Sequence, residues 1–199
     1  NSKLKYEHVY LLSKSNDKAS VICSEKHITP SLLRDFSAPV DLETDFKINE
    51  HIHILKYDND PFNKWDAAQK LYLNCYLKKF NLNIFIKTLR ELILKNDIDY
   101  SLMALILALP SRNVFENLSN DVDPILIFHR KKDLMKTISL DLQEVLETNA
   151  LKLYNGGIQN NKSSGERFLL EKLLEYLILV ESSIGIEIAK KITTSKNMT

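Results

Sequence analysis

Residues 57–71 read Tyr57-Asp-Asn-Asp-Pro-Phe-Asn-Lys-Trp-Asp-Ala-Ala-Gln-Lys-Leu71, and they carry the strongest helix signal in the chain. Asp60 is a residue type that caps helix N-termini, and Pro61 follows at the first helical position, where a missing backbone N–H costs little. The stretch therefore predicts an amphipathic helix that begins at residue 61. Its apolar face is formed by residues three or four positions apart, namely Phe62, Trp65, Ala68, Tyr72, Tyr76 and Phe80.

Helix signals of the same kind run from about residue 47 to the end of the chain, with a last helix over roughly residues 184–192. Further starts are predicted at Asp99, at Asp123-Pro124 and at a capping box of Ser163 and Glu166, and stops at Pro110 and Gly156-Gly157. The long helix after Pro124 has apolar positions at Leu134, Ile138, Leu142, Val145 and Leu146. About eight helices with short loops predict a mainly α fold, an α-α superhelix of ARM/HEAT-like helical repeats without a fixed repeat period.

Residues 1–45 have a different pattern, typical of β-structure. Residues 8–13 and 18–23 are rich in β-branched and aromatic side chains and flank the turn-like Ser15-Asn16-Asp17, which predicts a hairpin. Residues 40–44 alternate apolar and polar, as in a half-buried strand. A few strands cannot enclose a core, so we expect them to be cut from a larger sheet, and the helical part to be cut after Thr199.

Composition and charge exclude several classes of function. The 27 basic and 26 acidic residues give a net charge of +1, which favours neither nucleic acid nor an anionic membrane as a partner. The longest apolar run, residues 102–109, is much shorter than the roughly 20 residues of a membrane span, and no signal-peptide core is present. We therefore expect a cytoplasmic protein. Cys23 and Cys75 do not form a CxxC pair and are predicted to be buried, reduced thiols.

No catalytic motif is found in the sequence. HExxH, GxSxG, P-loop and GxGxxG patterns are absent. His51 and His53 would point to opposite sides of a helix and could not chelate one metal, and Asp60 and its neighbouring carboxylates are explained by helix capping. Trp65 is interpreted as a core anchor. We therefore predict no catalytic, cofactor-binding or metal-binding residue in this chain.

Two segments carry a resemblance to a known family. Residues 30–40, Pro30-Ser-Leu-Leu-Arg-Asp-Phe-Ser-Ala-Pro-Val40, resemble the PSLLRGFSAPV stretch of the aminopeptidase N (alanyl aminopeptidase) family of zinc metallopeptidases, and residues 57–71 resemble its DPFNRWEAxQ helix. Weaker similarity continues at residues 109–111, 121–125 and 197–199. This chain departs from the family pattern at Asp35, where Gly is usual, and at Lys64, where Arg is common.

The resemblance implies a domain organisation and a role. It implies that residues 1–45 are the C-terminal portion of a β-sandwich domain and residues 46–199 the N-terminal portion of the C-terminal helical domain. The zinc ligands of the parent enzyme would belong to a thermolysin-like catalytic domain outside these residues, so this chain would hold no cofactor and be inactive alone. The helical part would cover the active site and restrict access of peptide substrates, with the catalytic domain of the same polypeptide as its partner.

Two alternatives to this reading remain open. Many short-looped helices also suit an independent helical-repeat scaffold for protein–protein interaction. Scattered His and Asp residues leave a self-contained hydrolase as the weakest interpretation. In addition, strands without their partners expose unpaired edges, which predicts self-association through residues 5–25.

Overall fold

The computed structural model describes residues 8–11, 13–20, 27–40, 42–95, 97–118, 123–155 and 163–194. These residues form eight α-helices: α1 (Ile48–Tyr57), α2 (Pro61–Tyr76), α3 (Leu82–Lys95), α4 (Tyr100–Leu107), α5 (Arg112–Glu116), α6 (Pro124–Asn155), α7 (Ser164–Leu179) and α8 (Ser183–Thr194). A short 3-10 turn at Arg34–Phe36 precedes them. The prediction of a mainly helical protein is confirmed.

The helix starts lie where the sequence signals place them. Asp60 Oδ1 accepts a hydrogen bond from the backbone N–H of Asn63 at 2.8 Å, which caps α2. The backbone N–H of Glu166 donates to Ser163 Oγ at 3.2 Å, and the backbone N–H of Ser163 donates back to Glu166 Oε2 at 2.8 Å, so the capping box of α7 is complete. Helix α4 ends at Leu107, three residues before the predicted stop at Pro110.

The predicted strands are not confirmed. Residues 8–11, 13–20 and 42–44 contain no strand, while Leu12, residues 21–23 and Asp41 lie outside the described residues. Val9 and Leu11 have exposed fractions of 92% and 84%, and the Tyr10 hydroxyl donates a hydrogen bond to the carbonyl of Lys18 at 2.7 Å. A hairpin is stable only when its apolar face packs against other structure, and these apolar side chains have no such surface here. Self-association through residues 5–25 stays a prediction.

The centre of the core is a polar contact among three helices. The fully buried hydroxyl of Tyr176 in α7 donates to the carbonyl of Leu107 at 2.6 Å, and the hydroxyl of Tyr72 in α2 lies 3.4 Å from both oxygens. Gln69 Nε2 donates to the carbonyl of Ala108 at 3.0 Å. Side chains of α2 and α7 thus satisfy carbonyls that the end of α4 leaves without an intrahelical partner. Burial raises the pKa of both phenols.

Helix α6 forms the long wall on which α3, α7 and α8 pack. The apolar positions predicted for α6 are all buried, namely Leu134, Ile138, Leu142, Val145 and Leu146. Hydrogen bonds also connect α6 to the start of α8. Ser182 Oγ donates to Glu147 Oε1 at 2.7 Å and accepts from the backbone N–H of Gly185 at 3.1 Å. The helical period read from the sequence therefore places the α6 core correctly.

Gly185 marks a close approach of α8 to α7, and substitution by alanine should be destabilising. A Cβ atom at this position would lie 2.6 Å from Leu177 Cβ, which cannot rotate away. Overpacking of this kind costs about 1–3 kcal/mol, and the better helix propensity of alanine offsets about 1 kcal/mol of it. We expect Gly185→Ala to lower the free energy of unfolding by about 1 kcal/mol in urea titrations. A variant more stable than wild type would show that the two helices separate freely.

Candidate functional site

The two segments that carry the family resemblance contact each other at the start of α2. Arg34 Nη1 lies 3.0 Å from Asp58 Oδ1 and donates to Ser31 Oγ at 2.8 Å. Arg34 Nη2 donates to Asn59 Oδ1 at 2.8 Å. The side chains of Arg34 and Asp58 are largely buried in this contact. A charged pair with this many partners fixes the segment before α1 to the loop between α1 and α2.

Asp60 extends this junction. Its Oδ2 accepts a hydrogen bond from the backbone N–H of Asp35 at 2.9 Å, while its Oδ1 caps α2. Asp58 Oδ1 accepts from the backbone N–H of Asp60 at 2.9 Å, and Asn63 Nδ2 donates to Ser31 Oγ at 2.9 Å. Asp60 is almost wholly buried. One carboxylate thus caps a helix and holds a distant turn, which the sequence interpretation of capping alone did not include.

The turn that Asp60 holds is left-handed. Leu33, Asp35 and Phe36 have φ angles of 49°, 53° and 57°. The left-handed region is unfavourable for residues with a Cβ atom, and Asp tolerates it better than most. The family pattern has Gly at position 35, a residue that adopts the left-handed conformation without a steric penalty, whereas this chain places Asp35 there. Backbone strain is therefore concentrated in the motif of residues 30–40.

The effect of Asp35 on this strain can be measured directly. The Asp35 side chain is exposed and makes no hydrogen bond to another described residue, so substitutions change mainly the backbone preference. Glycine removes the left-handed penalty of about 1 kcal/mol but adds entropy to the unfolded chain, which leaves a net gain of about 0.5 kcal/mol. We expect the free energy of unfolding to be highest for Asp35→Gly, intermediate for the wild type and lowest for Asp35→Ala. Equal stabilities in urea titrations would contradict strain at this position.

An aromatic cluster covers the outer side of the junction. The Phe36 ring meets the Phe62 ring edge-on with centroids 4.5 Å apart, and Phe62 lies 5.5 Å from Trp65. Phe36 has an exposed fraction of 59%, and Trp65 is only half-buried. Trp65 is thus part of a surface cluster, whereas the sequence interpretation made it a core anchor. The core position on α2 is occupied by Tyr72 instead.

A cleft lies between the junction and the helices α1 and α2. It is small and partly open to solvent, and it is lined by Leu42, Thr44, Phe46, His51, Asp66 and Lys70 among others. His51 has an exposed fraction of 7%, and burial together with the nearby Lys70 lowers its pKa, against the opposite effect of Asp66 and Glu50. His53 is exposed, and its ring is tilted against the Tyr57 ring with centroids 5.0 Å apart. The prediction that the two histidines point in different directions is confirmed.

Lys64 and Cys75 are the remaining side chains whose amine or thiol could act as a nucleophile. Burial lowers the pKa of the Lys64 ammonium, Asp97 and Asp58 oppose this shift, and Lys95 adds to it. No ion pair joins Lys64 to a described carboxylate. Burial raises the pKa of the Cys75 thiol to about 12, which keeps the thiol protonated and unreactive. Cys75 is therefore a buried free thiol, as predicted, and Cys23 lies outside the described residues.

The described residues form no candidate metal site. They contain no group of three or more His, Cys, Asp or Glu side chains that could hold a metal ion, so they do not fit the zinc of the resembling family. No helix in the same ranges is long and apolar enough to span a bilayer. The sequence reasoning found no site residue, and it missed the Arg34 junction. One sequence signal could have indicated the junction: residues 30–40 and residues 57–71 both resemble motifs of the same family.

Comparisons with known proteins agree with this picture. Residues 48–199 match the family model described as "Domain of unknown function (DUF3458_C) ARM repeats". Aminopeptidase N of Escherichia coli K12 is 29% identical over 187 residues, covering 85% of this chain and 21% of that protein. Aminopeptidase N of Haemophilus influenzae is 34% identical over 105 residues, covering 48% of this chain and 12% of that protein. The chain thus spans about a fifth or less of the length of these relatives.

The fold also matches a solved structure. The crystal structure of Legionella pneumophila aminopeptidase A in complex with aspartic acid superposes with a TM-score of 0.65 at 16% sequence identity, covering 82% of this chain and 22% of that one. At this identity the match supports the helical architecture. Through residues 48–199 the chain belongs to the DUF3458_C ARM-repeat family, and it is similar to a C-terminal part of aminopeptidase N.

Proposed function

We propose that this chain is a non-catalytic segment of a zinc-dependent aminopeptidase that removes N-terminal amino acids from peptides. The observation that carries the proposal is the similarity to aminopeptidase N over 187 residues, together with the ARM-repeat family match. In this proposal residues 1–45 close a β-sandwich domain, and residues 46–199 open the helical domain. The catalytic domain of the same polypeptide supplies zinc and the reacting groups.

The proposed role of the helical part is to cover the active site and limit the size of peptides that enter. Helices α4 and α8 pack on α7, and α3 and α8 pack on α6, while the contacts of Arg34 and Asp60 join these helices to the segment that precedes them. The cytoplasmic location stays a prediction.

The isolated chain provides the first test. Purified residues 1–199 should bind no stoichiometric zinc in a metal-content measurement and should not hydrolyse an alanyl chromogenic amide. Zinc-dependent turnover by this chain would overturn the proposal.

The full-length protein provides the second test. A variant of the full-length protein that ends at residue 45, and so lacks the helical part, is compared with the intact protein. The quantity measured is kcat/KM for a short alanyl amide and for peptides of increasing length. Restricted access predicts that truncation raises the rate on long peptides relative to the short amide. An unchanged ratio would contradict a role in access.

The ARM-repeat match also supports a second candidate function, an independent scaffold that binds a partner protein. The reading frame distinguishes the two functions. HExxH with a downstream Glu ligand encoded upstream in frame supports the aminopeptidase, and a start codon just before residue 1 supports the scaffold.

A further inference from the structure

Residues 27–40 and 42–46 form a strap that lies across α1 and α2. Among the described residues of this segment no helix or strand other than the 3-10 turn occurs, and outside that turn's own bonds two backbone–backbone hydrogen bonds lie within it, from the N–H of Ser37 to the carbonyl of Arg34 and from the N–H of Val40 to the carbonyl of Ala38. Its backbone is therefore not stabilised by a ladder of its own. The strap stays in place through contacts with the helices beneath it.

Those contacts are concentrated at the left-handed turn. Asp35 N–H donates to Asp60, Arg34 pairs with Asp58 and Asn59, and Phe36 rests on Phe62. Further along the strap, Phe46 meets His51 edge-on with ring centroids 5.8 Å apart. The anchoring groups of α1, α2 and their connecting loop are placed by helix packing and capping.

The strap also stores an opposing free energy. Three residues other than glycine, at positions 33, 35 and 36, adopt the left-handed conformation, although each of them is more stable in a right-handed or extended conformation. Several of its apolar side chains, among them Ile28, Phe36 and Val40, remain exposed while the strap is closed. The strap thus buries little apolar surface and carries strain, which are the properties of a segment that opens before the rest of the protein.

We propose that the strap opens as a unit while the helices stay folded, and that Asp60 is the residue that keeps it closed. Opening would release the left-handed turn and uncover His51 in the cleft and the Phe62–Trp65 aromatic pair. The helices would persist because the strap supplies none of the buried residues of their core, which is centred on Tyr72, Leu107 and Tyr176; the partly buried Phe46 packs against this core from outside. The strap would then act as a conformational switch at the entry to the helical domain, independent of any catalytic role.

Hydrogen exchange followed by mass spectrometry on the 199-residue chain tests this directly. In the wild type, peptides covering the strap should exchange at least tenfold faster than peptides from α7. Asp60→Asn keeps a good N-cap at α2, since Asn caps as well as Asp, but removes the second acceptor from Asp35 N–H. Loss of a charge-assisted hydrogen bond predicts a further acceleration of about tenfold for the hydrogen-bonded amides of Asp35 and Ser37, in the peptide that contains them, with α7 unchanged.

A matched control and a reverse variant complete the test. Asp99→Asn alters the N-cap of α4. Among the described residues the Asp99 side chain accepts from the backbone N–H groups of Ser101 and Leu102, so this variant should leave hydrogen exchange in the strap unchanged. Asp35→Gly should slow strap exchange about twofold, because glycine relieves the strain. Equal exchange of strap and α7 in the wild type would overturn the proposal, as would an Asp60→Asn effect of the same size in both regions.

Discussion

Replacing Phe85 with alanine is expected to lower the free energy of unfolding by about 4 kcal/mol, the largest effect of any substitution considered for this chain. Phe85 in α3 is completely buried, and its ring meets the ring of Tyr72 edge-on with centroids 4.7 Å apart. Truncation removes this aromatic pair and leaves a cavity that the surrounding helices can only partly fill. Urea denaturation followed by far-UV circular dichroism measures the loss.

The adjacent residue provides a matched control. Ile84 lies on the same helix with an exposed fraction of 48%, so Ile84→Ala removes apolar atoms without creating a buried cavity. We expect a loss below about 1 kcal/mol for this variant. Similar losses at both positions would mean that the Phe85 ring is not buried against Tyr72 in the way described.

The helices were predictable because their signals are local. A helix start needs a capping side chain and the N–H groups of the next turn, and both lie within four residues of each other. For this reason Asp60, Asp123 and the Ser163–Glu166 box were identified from the sequence alone. The period of apolar residues likewise gave the buried face of α6 without any knowledge of its neighbours.

The junction was not predictable, since its contacts join residues far apart in the chain. Arg34 meets Asp58 and Asn59 across 24 and 25 positions, and no local rule pairs them. The same limit applies to the predicted strands, whose formation depends on pairing partners at a distance. Trp65 shows a third case. The helical period assigns Trp65 and Tyr72 to one face, but only the position of α4 and α7 decides that Tyr72 is the buried residue.

The absence of a predicted site and the presence of a family motif are consistent with each other. Arg34 and Asp60 fix one segment of the protein to another, and the Phe36–Phe62 pair covers that contact. In our proposal the segment that contains this motif opens while the helices stay folded. The hydrogen-exchange test of that opening does not depend on whether the parent protein is an aminopeptidase.

Removing the Tyr176 hydroxyl should cost about 2 kcal/mol of unfolding free energy, the second large effect that we expect. The hydroxyl donates to the carbonyl of Leu107 at 2.6 Å, at the end of α4, in a region closed to water. In Tyr176→Phe this buried carbonyl keeps only the longer contact of 3.4 Å from the Tyr72 hydroxyl. A buried acceptor with poor hydrogen bonding carries most of its desolvation penalty.

Tyr72→Phe tests whether the two hydroxyls act together. Its contacts of 3.4 Å to Leu107 and Tyr176 are at the weak end of hydrogen-bond geometry, so the single variant should lose less than about 1 kcal/mol. In the Tyr176→Phe background the same substitution removes the last hydroxyl near the Leu107 carbonyl and should cost about 1 kcal/mol more. Urea titrations of the four proteins give this coupling energy. Equal costs of Tyr72→Phe in both backgrounds would mean that the two hydroxyls do not act together at the Leu107 carbonyl.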